Sequence, residues 1–515
     1  MADSSASNER TPAPGRTPSP PSNIPASHHD DPLRVEGLTE GLAEAGSRFR
    51  EACDGVRGIA PGTENADLRE AAEATRRLWS EVPDAPLIAT GHQATFRHPG
   101  ILAKDLLAAA LAKELGGGVL RLVVDQDVHP VGPLQVPQLA PHAGLHVRSM
   151  ACREPSLQAP TGRRPPIRLD RERGPASSFE AVERGVDAID SALRREAGAA
   201  SAARQVAAAF DALAVPCSLL AAPRFATELL ATPIGLRLLA AIAEHPRRCA
   251  AAFNDALALD PRAARPLAIE SNRIEMPLWR IADDRPRERV HLDPGETARR
   301  RLDRLREAAL ASPSRLAPRG LLMTGLARLV ADLFIHGRGG WRYDRVTERW
   351  FASWLGATLG PMAMVSADLR LPLGVGPATT DPRRRWHDPD ADPDESMGTS
   401  PSLAKRASLR AIDSAPRGSS ARREAFHAMH RRLDEVRRAR GIEALPVHGV
   451  DPATIAARRD WAFPLHGAGA ITDLAARCRR LAEEVVAGST FSRPFRPDEA
   501  DPGDRPASRG TRSDR

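Results

Sequence analysis

The clearest pattern of apolar and polar positions lies between residues 86 and 124. "PLIAT" (86–90) is a short apolar run of the buried-strand kind. From Ile101 to Leu115 apolar residues recur at helical spacing through Leu102, Leu106 and Ala110, until Gly116–Gly118 stop the pattern. "VLRLVV" (119–124) is a second apolar run. Strand, helix and strand in so short a span predict a βαβ unit with parallel strands and a right-handed crossover.

The pattern elsewhere extends this to an α/β fold with helical insertions around residues 150–320. Helical spacing runs from about Val35 to Trp79, broken at "GIAPGTEN". Residues 150–175 read as loop and 177–214 as helical. "CSLLAA" (217–222) reads as a strand and Thr227 to Glu244 as a helix. "LAIESNRIEMPLWRI" (267–281) reads as two strands or a hairpin and residues 296–310 as a charged helix. "RGLLMTG" (319–325) predicts a strand, Leu326 to Ile335 a helix, "HGRGGWRYD" (336–344) a glycine-rich turn, Arg345 to Leu355 a helix and "PMAMV" (361–365) a strand. The core is thus expected over residues 35–375. A polar linker (376–402), a helical hairpin (403–441) that reads as a coiled-coil arm, and a segment returning to the core (442–490) follow it. The Pro/Ser-rich start (1–34) and the tail (491–515) read as disordered.

Composition narrows the function classes. With 42% hydrophobic but only 4% aromatic residues, the core must be aliphatic. No apolar run approaches the roughly 20 residues of a membrane helix, and the N-terminus has no apolar signal segment, so the expectation is a cytoplasmic protein without a membrane partner. Cys53, Cys152, Cys217, Cys249 and Cys478 are odd in number and widely spaced, as expected of reduced thiols. The net charge of +7 rests on arginine interleaved with acids, the pattern of solvated helix faces, so no nucleic-acid partner is expected. Only Lys104, Lys113 and Lys405 are lysines. Where arginine is the default cation, a lysine marks a place that needs a compact, flexible ammonium, or simply a neutral surface position.

The chemistry collects after the two parallel strands. Strand ends of a parallel pair share one sheet edge, where open α/β sheets bind ligands. "GHQATFRHPG" therefore brings Gly91, His92, Gln93, His98, Gly100 and Lys104 towards Asp125, Asp127 and His129 of "DQDVHP". The helix that opens near Ile101 aims its free N–H groups at the same space, which suits an anion. His92 and His98 are candidate acid–base or ligand-orienting groups, or structural histidines of a tight turn. Asp125 and Asp127, two apart on a strand end, share a face. They are candidates to bind Mg²⁺ or hydroxyls or to act as a base, or they are turn residues. Gly339 and Gly340, with Tyr343 beside them, offer an anion nest or a plain helix cap.

Four motifs, "TGHQ" (90–93), "RHPGILAK" (97–104), "VVDQD" (123–127) and "GRGGWRYD" (337–344), together with the hairpin near 403–441, resemble in order the bacillithiol-biosynthesis cysteine-adding enzymes, the BshC family. The resemblance spans roughly residues 80–480 and is clear only in those motifs. It implies a Rossmann-like core related to nucleotidyltransferases and homodimerisation through the hairpin. It also implies a nucleotide or phosphorylated small molecule as ligand and a ligase that joins the carboxylate of cysteine to an amino-sugar acceptor. Such an amide needs an activated carboxylate, which makes ATP or ADP the expected nucleotide, with Mg²⁺ a candidate ion at the aspartates. Gly91, Gln93, Lys104, Asp125, Asp127, Gly339 and Gly340 match the family pattern. His92, Gln126 and "WRYD" depart from it, and a changed centre can carry a changed substrate. The other expectation is a non-catalytic relative that binds a ligand in the same pocket and partners through the arm.

Overall fold

A computed structural model describes residues 33–53, 66–131, 133–140, 144–153, 158–171, 176–214, 221–283, 285–373, 400–416, 419–439 and 452–488. The expectations for the N-terminal segment to residue 32, for the linker between 374 and 399 and for the tail from 489 lie outside the described residues. Among the described residues twelve strands follow in chain order: β1 (Leu33–Glu36), β2 (Leu87–Gln93), β3 (Gly118–Val124), β4 (Pro133–Ala140), β5 (Gly144–Arg153), β6 (Arg168–Leu169), β7 (Pro223–Phe225), β8 (Ile274–Arg280), β9 (Glu288–Leu292), β10 (Leu316–Pro318), β11 (Leu333–His336) and β12 (Met362–Ala367).

Six of them form a mainly parallel sheet in the order β1-β12-β11-β2-β3-β7, with only β1 antiparallel, at one edge. Its inner strands are buried on both faces, which is why β2 and β3 read as continuous apolar runs. Leu87, Ala89, Leu120, Leu122 and Phe334 pack into one core with Val346, Trp350 and Phe351. Ile88, Leu333, Ile335, Ala363 and Val365 pack into a second core on the other face, with Leu102, Leu106 and Leu107. The helix Pro99–Glu114 is apolar around most of its girth because helix Ala468–Ala487 covers its outer side, so the C-terminal segment does return to the core. Two antiparallel three-stranded sheets, β10-β8-β9 and β4-β5-β6, flank the main one.

The parallel βαβ unit is as the periodicity predicts, with β2 extending three residues past the end of the apolar run. Several other expectations are corrected. "RGLLMTG" begins the helix Gly320–Val330, and the strand follows at β11. A short apolar run fits either period, and here Leu322, Leu326 and Leu329 bury one helical face. Gly325 is a glycine because a Cβ there would stand 2.2 Å from the Phe351 ring. "HGRGGWRYD" is not a turn: His336 ends β11 and helix Arg338–Leu355 starts two residues later. Residues 150–175 are not all loop, since β5 runs to Arg153 and pairs with β6. The helix expected from Thr227 is split at Pro233, where Thr232 caps a new helix, Pro233–Glu244. The strand expected at 217–222 falls largely outside the described residues, and the edge strand beside β3 is β7. Helices Ser400–Ser414 and Ser420–Ala439 form the expected hairpin, and Arg422 Nη1 donates to the Ile412 carbonyl at 2.6 Å across it. Among the described residues no helix is long and apolar enough to cross a membrane.

Candidate functional site

From β2 the chain passes through helix Pro99–Glu114 to β3 on one side. From β11 it passes through helix Arg338–Leu355 to β12 on the other. The two helices lie on opposite faces of the sheet. The strand order therefore reverses between β2 and β11, and the crevice above their carboxyl ends is the usual ligand position in such sheets.

Lys104 spans that crevice. It lies in the second turn of its helix, is 2% exposed, and its ammonium donates to the Gly91 carbonyl at 2.7 Å. Its stem runs beside Gly337, where a Cβ would lie 3.7 Å from Lys104 Cδ. Burial pulls the ammonium down to about 8, Asp105 opposes this and Arg97 adds to it. Asp105 is itself held by Arg97 at 2.6 Å and by the Thr90 hydroxyl at 3.3 Å. Gly91 leaves little room for a side chain, since a Cβ would meet Leu122 Cβ at 3.0 Å.

The neighbouring wall comes from β2 and the loop after β3. His92 is held well below its usual value by burial, then by Arg97 and Lys104, so its ring is neutral. Gln93 Nε2 donates to Asp127 at 3.4 Å, and Asp127 forms an ion pair with Arg287. Arg287 also donates to the Gln126 carbonyl at 3.1 Å. The guanidinium groups of Arg287 and Arg319 lie 4.4 and 4.3 Å from the centre of the Trp279 ring. Tyr343, 38% exposed, has its hydroxyl pushed up by partial burial and by the carboxylates of Asp344 and Asp127.

Asp125 and Asp127 do not act on a common face, because the strand ends at Val124 and the two side chains reach different elements. Both Asp125 oxygens accept from Thr227, from its N–H at 2.9 Å and its hydroxyl at 2.6 Å. Burial nonetheless raises the Asp125 carboxyl to about 6, with the Thr227 bonds opposing. Gly162 makes room for it, since a Cβ there would stand 2.7 Å from Asp125 Oδ2. The His129 carbonyl accepts from Arg164 at 2.6 Å. These contacts make Asp125 a tie between β3 and the segment after β7. Each of its oxygens takes one protein donor, and Asp127 already faces a guanidinium. Among the described residues no three His, Cys, Asp or Glu side chains group as ligands. This donor set does not fit a resident Mg²⁺.

His98 lies outside the Lys104 crevice. Its Nδ1 accepts the Gly100 N–H at 2.9 Å and so caps the helix, and its charged neighbours are Arg459, His466 and Asp460. Burial holds it down at about 3. Gly100 lets this helix start approach β12, since a Cβ there would meet the Ala367 carbonyl at 2.6 Å.

The sequence reading missed a buried group at the end of β11. His336 Nε2 is 2.9 Å from Asp344 Oδ2, and Arg328 Nη1 donates to that oxygen at 2.7 Å. Burial pushes the Asp344 carboxyl up, but His336 and Arg328 outweigh it and hold it well below the usual range. An ionised acceptor fixes the hydrogen on His336 Nε2. Gly340 stands where a Cβ would be 2.4 Å from His336 Nδ1, whereas a Cβ at Gly339 would meet nothing within 4 Å. The glycine pair therefore does two different jobs: one admits a histidine ring and one leaves the helix start open. The only available signal was the eight-residue spacing of His336 and Asp344 across a strand end and a helix start.

A scan against models of known protein families finds no match to this sequence, and a search of curated proteins finds no relative.

Proposed function

We propose that the crevice between β2 and β11 binds a phosphate-bearing small molecule, in the first instance a nucleotide, and that the protein is a BshC-like ligase. It would join an activated carboxylate, that of cysteine in the family it resembles, to the amine of an amino-sugar acceptor. The observation that carries this reading is Lys104: a buried ammonium bonded to the end of β2, between the starts of two helices, at the reversal of the strand order. Forming an amide from a carboxylate requires activation, which ATP supplies. Lys104 and the N–H groups at the uncapped start of helix Arg338–Leu355 would take up the charge of its phosphates. Mg²⁺ would arrive with the nucleotide rather than reside in the protein. The mainly parallel core supports the relation to nucleotidyltransferases. Leu409 and Phe426, both solvent-exposed on the hairpin, support its use as a homodimer arm. Such a reaction belongs in the cytoplasm.

The test is a calorimetric titration of Mg-ATP and of ADP into the wild type and into Lys104→Ala. Binding that Lys104→Ala loses with its circular dichroism unchanged supports a nucleotide at this crevice. No binding to either protein overturns the ATP reading.

One observation favours a second reading, a non-catalytic protein that binds its ligand in the same pocket. The carboxylates offered as base or metal ligand, Asp125 and Asp127, are both engaged by protein donors. Turnover by the purified protein separates the two.

A further inference from the structure

The ligase reading needs a group that removes the proton from the attacking amine, and the residues first offered for it are poorly suited. Asp125 is tied to Thr227 through both oxygens, and Asp127 is paired with Arg287. His98 spends Nδ1 on the helix cap. His92 is close to Arg97 and Lys104 in its electrostatics, so a proton there would be repelled.

His336 differs from all of these. It ends β11 at the reversal point, next to Gly337, along which the Lys104 stem runs. Its Nε2–H donates to Asp344 Oδ2, the oxygen that Arg328 also holds. Arg328 is anchored in turn by donating through Nε to the Gly360 carbonyl at 2.7 Å and by pairing with Glu348. The ring is thus fixed in one tautomer. Its basic Nδ1 lies against Gly340, in the first turn of helix Arg338–Leu355, and the residue keeps 7% of its surface exposed. Burial holds the ring below its usual value, Arg328 and Lys104 add to this and Asp344 opposes it, so the ring is neutral at pH 7 and only Asp344 favours its protonation. Once protonated, it alone among these groups has a buried carboxylate at hydrogen-bond distance to stabilise it.

We infer that His336 is the catalytic base of this crevice, with Asp344 and Arg328 as its positioning residues, and that its substrate is a neutral amine that attacks an acyl phosphate or acyl adenylate. The step balances within the ligase reading on which it rests. The amine nitrogen forms a bond to the carbonyl carbon and gives its proton to His336 Nδ1. The bond from that carbon to the phosphate oxygen breaks, and the phosphate leaves with the electron pair into the field of Lys104.

The test uses the full chain and two readouts. The variant His336→Gln places an amide N–H where Nε2–H stood and removes Nδ1, so the Asp344 bond survives. Mg-ATP is expected to bind it within about threefold of wild type, while amide formation from cysteine and an amino-sugar acceptor falls at least about 100-fold. Undiminished amide formation by His336→Gln overturns the inference. The second readout does not depend on turnover. Diethyl pyrocarbonate acylates accessible, unprotonated imidazole nitrogen, and peptide mass mapping locates it. His336 is expected to be labelled in the folded protein and protected by Mg-ATP. An unlabelled His336 overturns the inference by showing a sealed structural ring. If Mg-ATP does not bind, the nucleotide reading fails on its own, and labelling of His336 still decides whether a usable base faces the crevice.

Discussion

The ammonium of Lys104 sits 2.7 Å from the carbonyl oxygen of Gly91, which ties the end of one strand to the second turn of the helix that follows it. That bond keeps a charge buried where two helices begin. Its properties can be measured without knowing the substrate.

The Lys104 ammonium titrates at about 8 rather than 10.5. Its folded value lies below its unfolded one, so the unfolded chain binds more protons between pH 8 and 10.5, and stability rises across that window. The rise is on the order of 3 kcal/mol. Denaturant unfolding at pH 7.5 and pH 10 is expected to show it, and Lys104→Met is expected to abolish it. The same ammonium should govern anion binding. Phosphate or nucleotide affinity is expected to hold constant below pH 8 and to fall by up to about tenfold per pH unit above it. Affinity that is flat from pH 7 to 9.5 excludes Lys104 from the contact.

Asp125 is expected to behave as a structural tie. Removing it in Asp125→Ala leaves the Thr227 N–H and hydroxyl without their acceptor, at about 1–3 kcal/mol of stability. Because its folded value, about 6, lies above the ordinary 3.8, the native state binds more protons between those values. Its contribution to stability therefore declines as pH rises from about 4 to 6. Unfolding midpoints of wild type and Asp125→Asn across that window test this, with the step expected only in wild type.

The buried pair of Arg97 and Asp105 supports the same helix start. Asp105→Ala strands a guanidinium that is 3% exposed, and breaking such a pair costs about 3–5 kcal/mol. A loss under about 1 kcal/mol in urea unfolding would show that Arg97 has found another partner, the Phe210 ring 4.6 Å from its guanidinium being the nearest aromatic contact.

The two glycines of "GRGG" are expected to separate cleanly. Gly340→Ala pushes a methyl into His336 Nδ1 and should displace the ring, with a loss of stability and of histidine labelling together. Gly339→Ala meets open space and should leave stability unchanged or raise it by up to about 1 kcal/mol. Weaker nucleotide binding by Gly339→Ala, with the fold intact, would place the ligand against that turn.

Local order was legible where one period dominates over many residues. The βαβ unit from β2 to β3, the helix Ala298–Leu310 and the 400–439 hairpin all follow from spacing and stop residues. Residues 319–336 are ambiguous in sequence because their short apolar runs suit a strand and a helix equally. Burial against Phe351 and the pairing of β11 with β2 chose between them. The position of the candidate site on the carboxyl edge followed from one topological rule and from the clustering of Gly91, His92, Gln93 and Lys104.

The roles of individual side chains did not follow. Asp125 belongs to Thr227, 102 residues away, and Asp127 to Arg287, 160 residues away. Gly340 is explained by a histidine ring and Gly162 by a carboxylate. Periodicity records which face of an element avoids water, because that preference acts residue by residue along the chain. A polar side chain's partner depends on which distant segments packing brings within about 3 Å, and no local pattern carries that information. The chain's own spacing thus dictated the parallel unit and the edge where its chemistry gathers. Tertiary packing decided which residues there are engaged by distant partners, and it set Lys104 against Gly91 and His336 against Asp344.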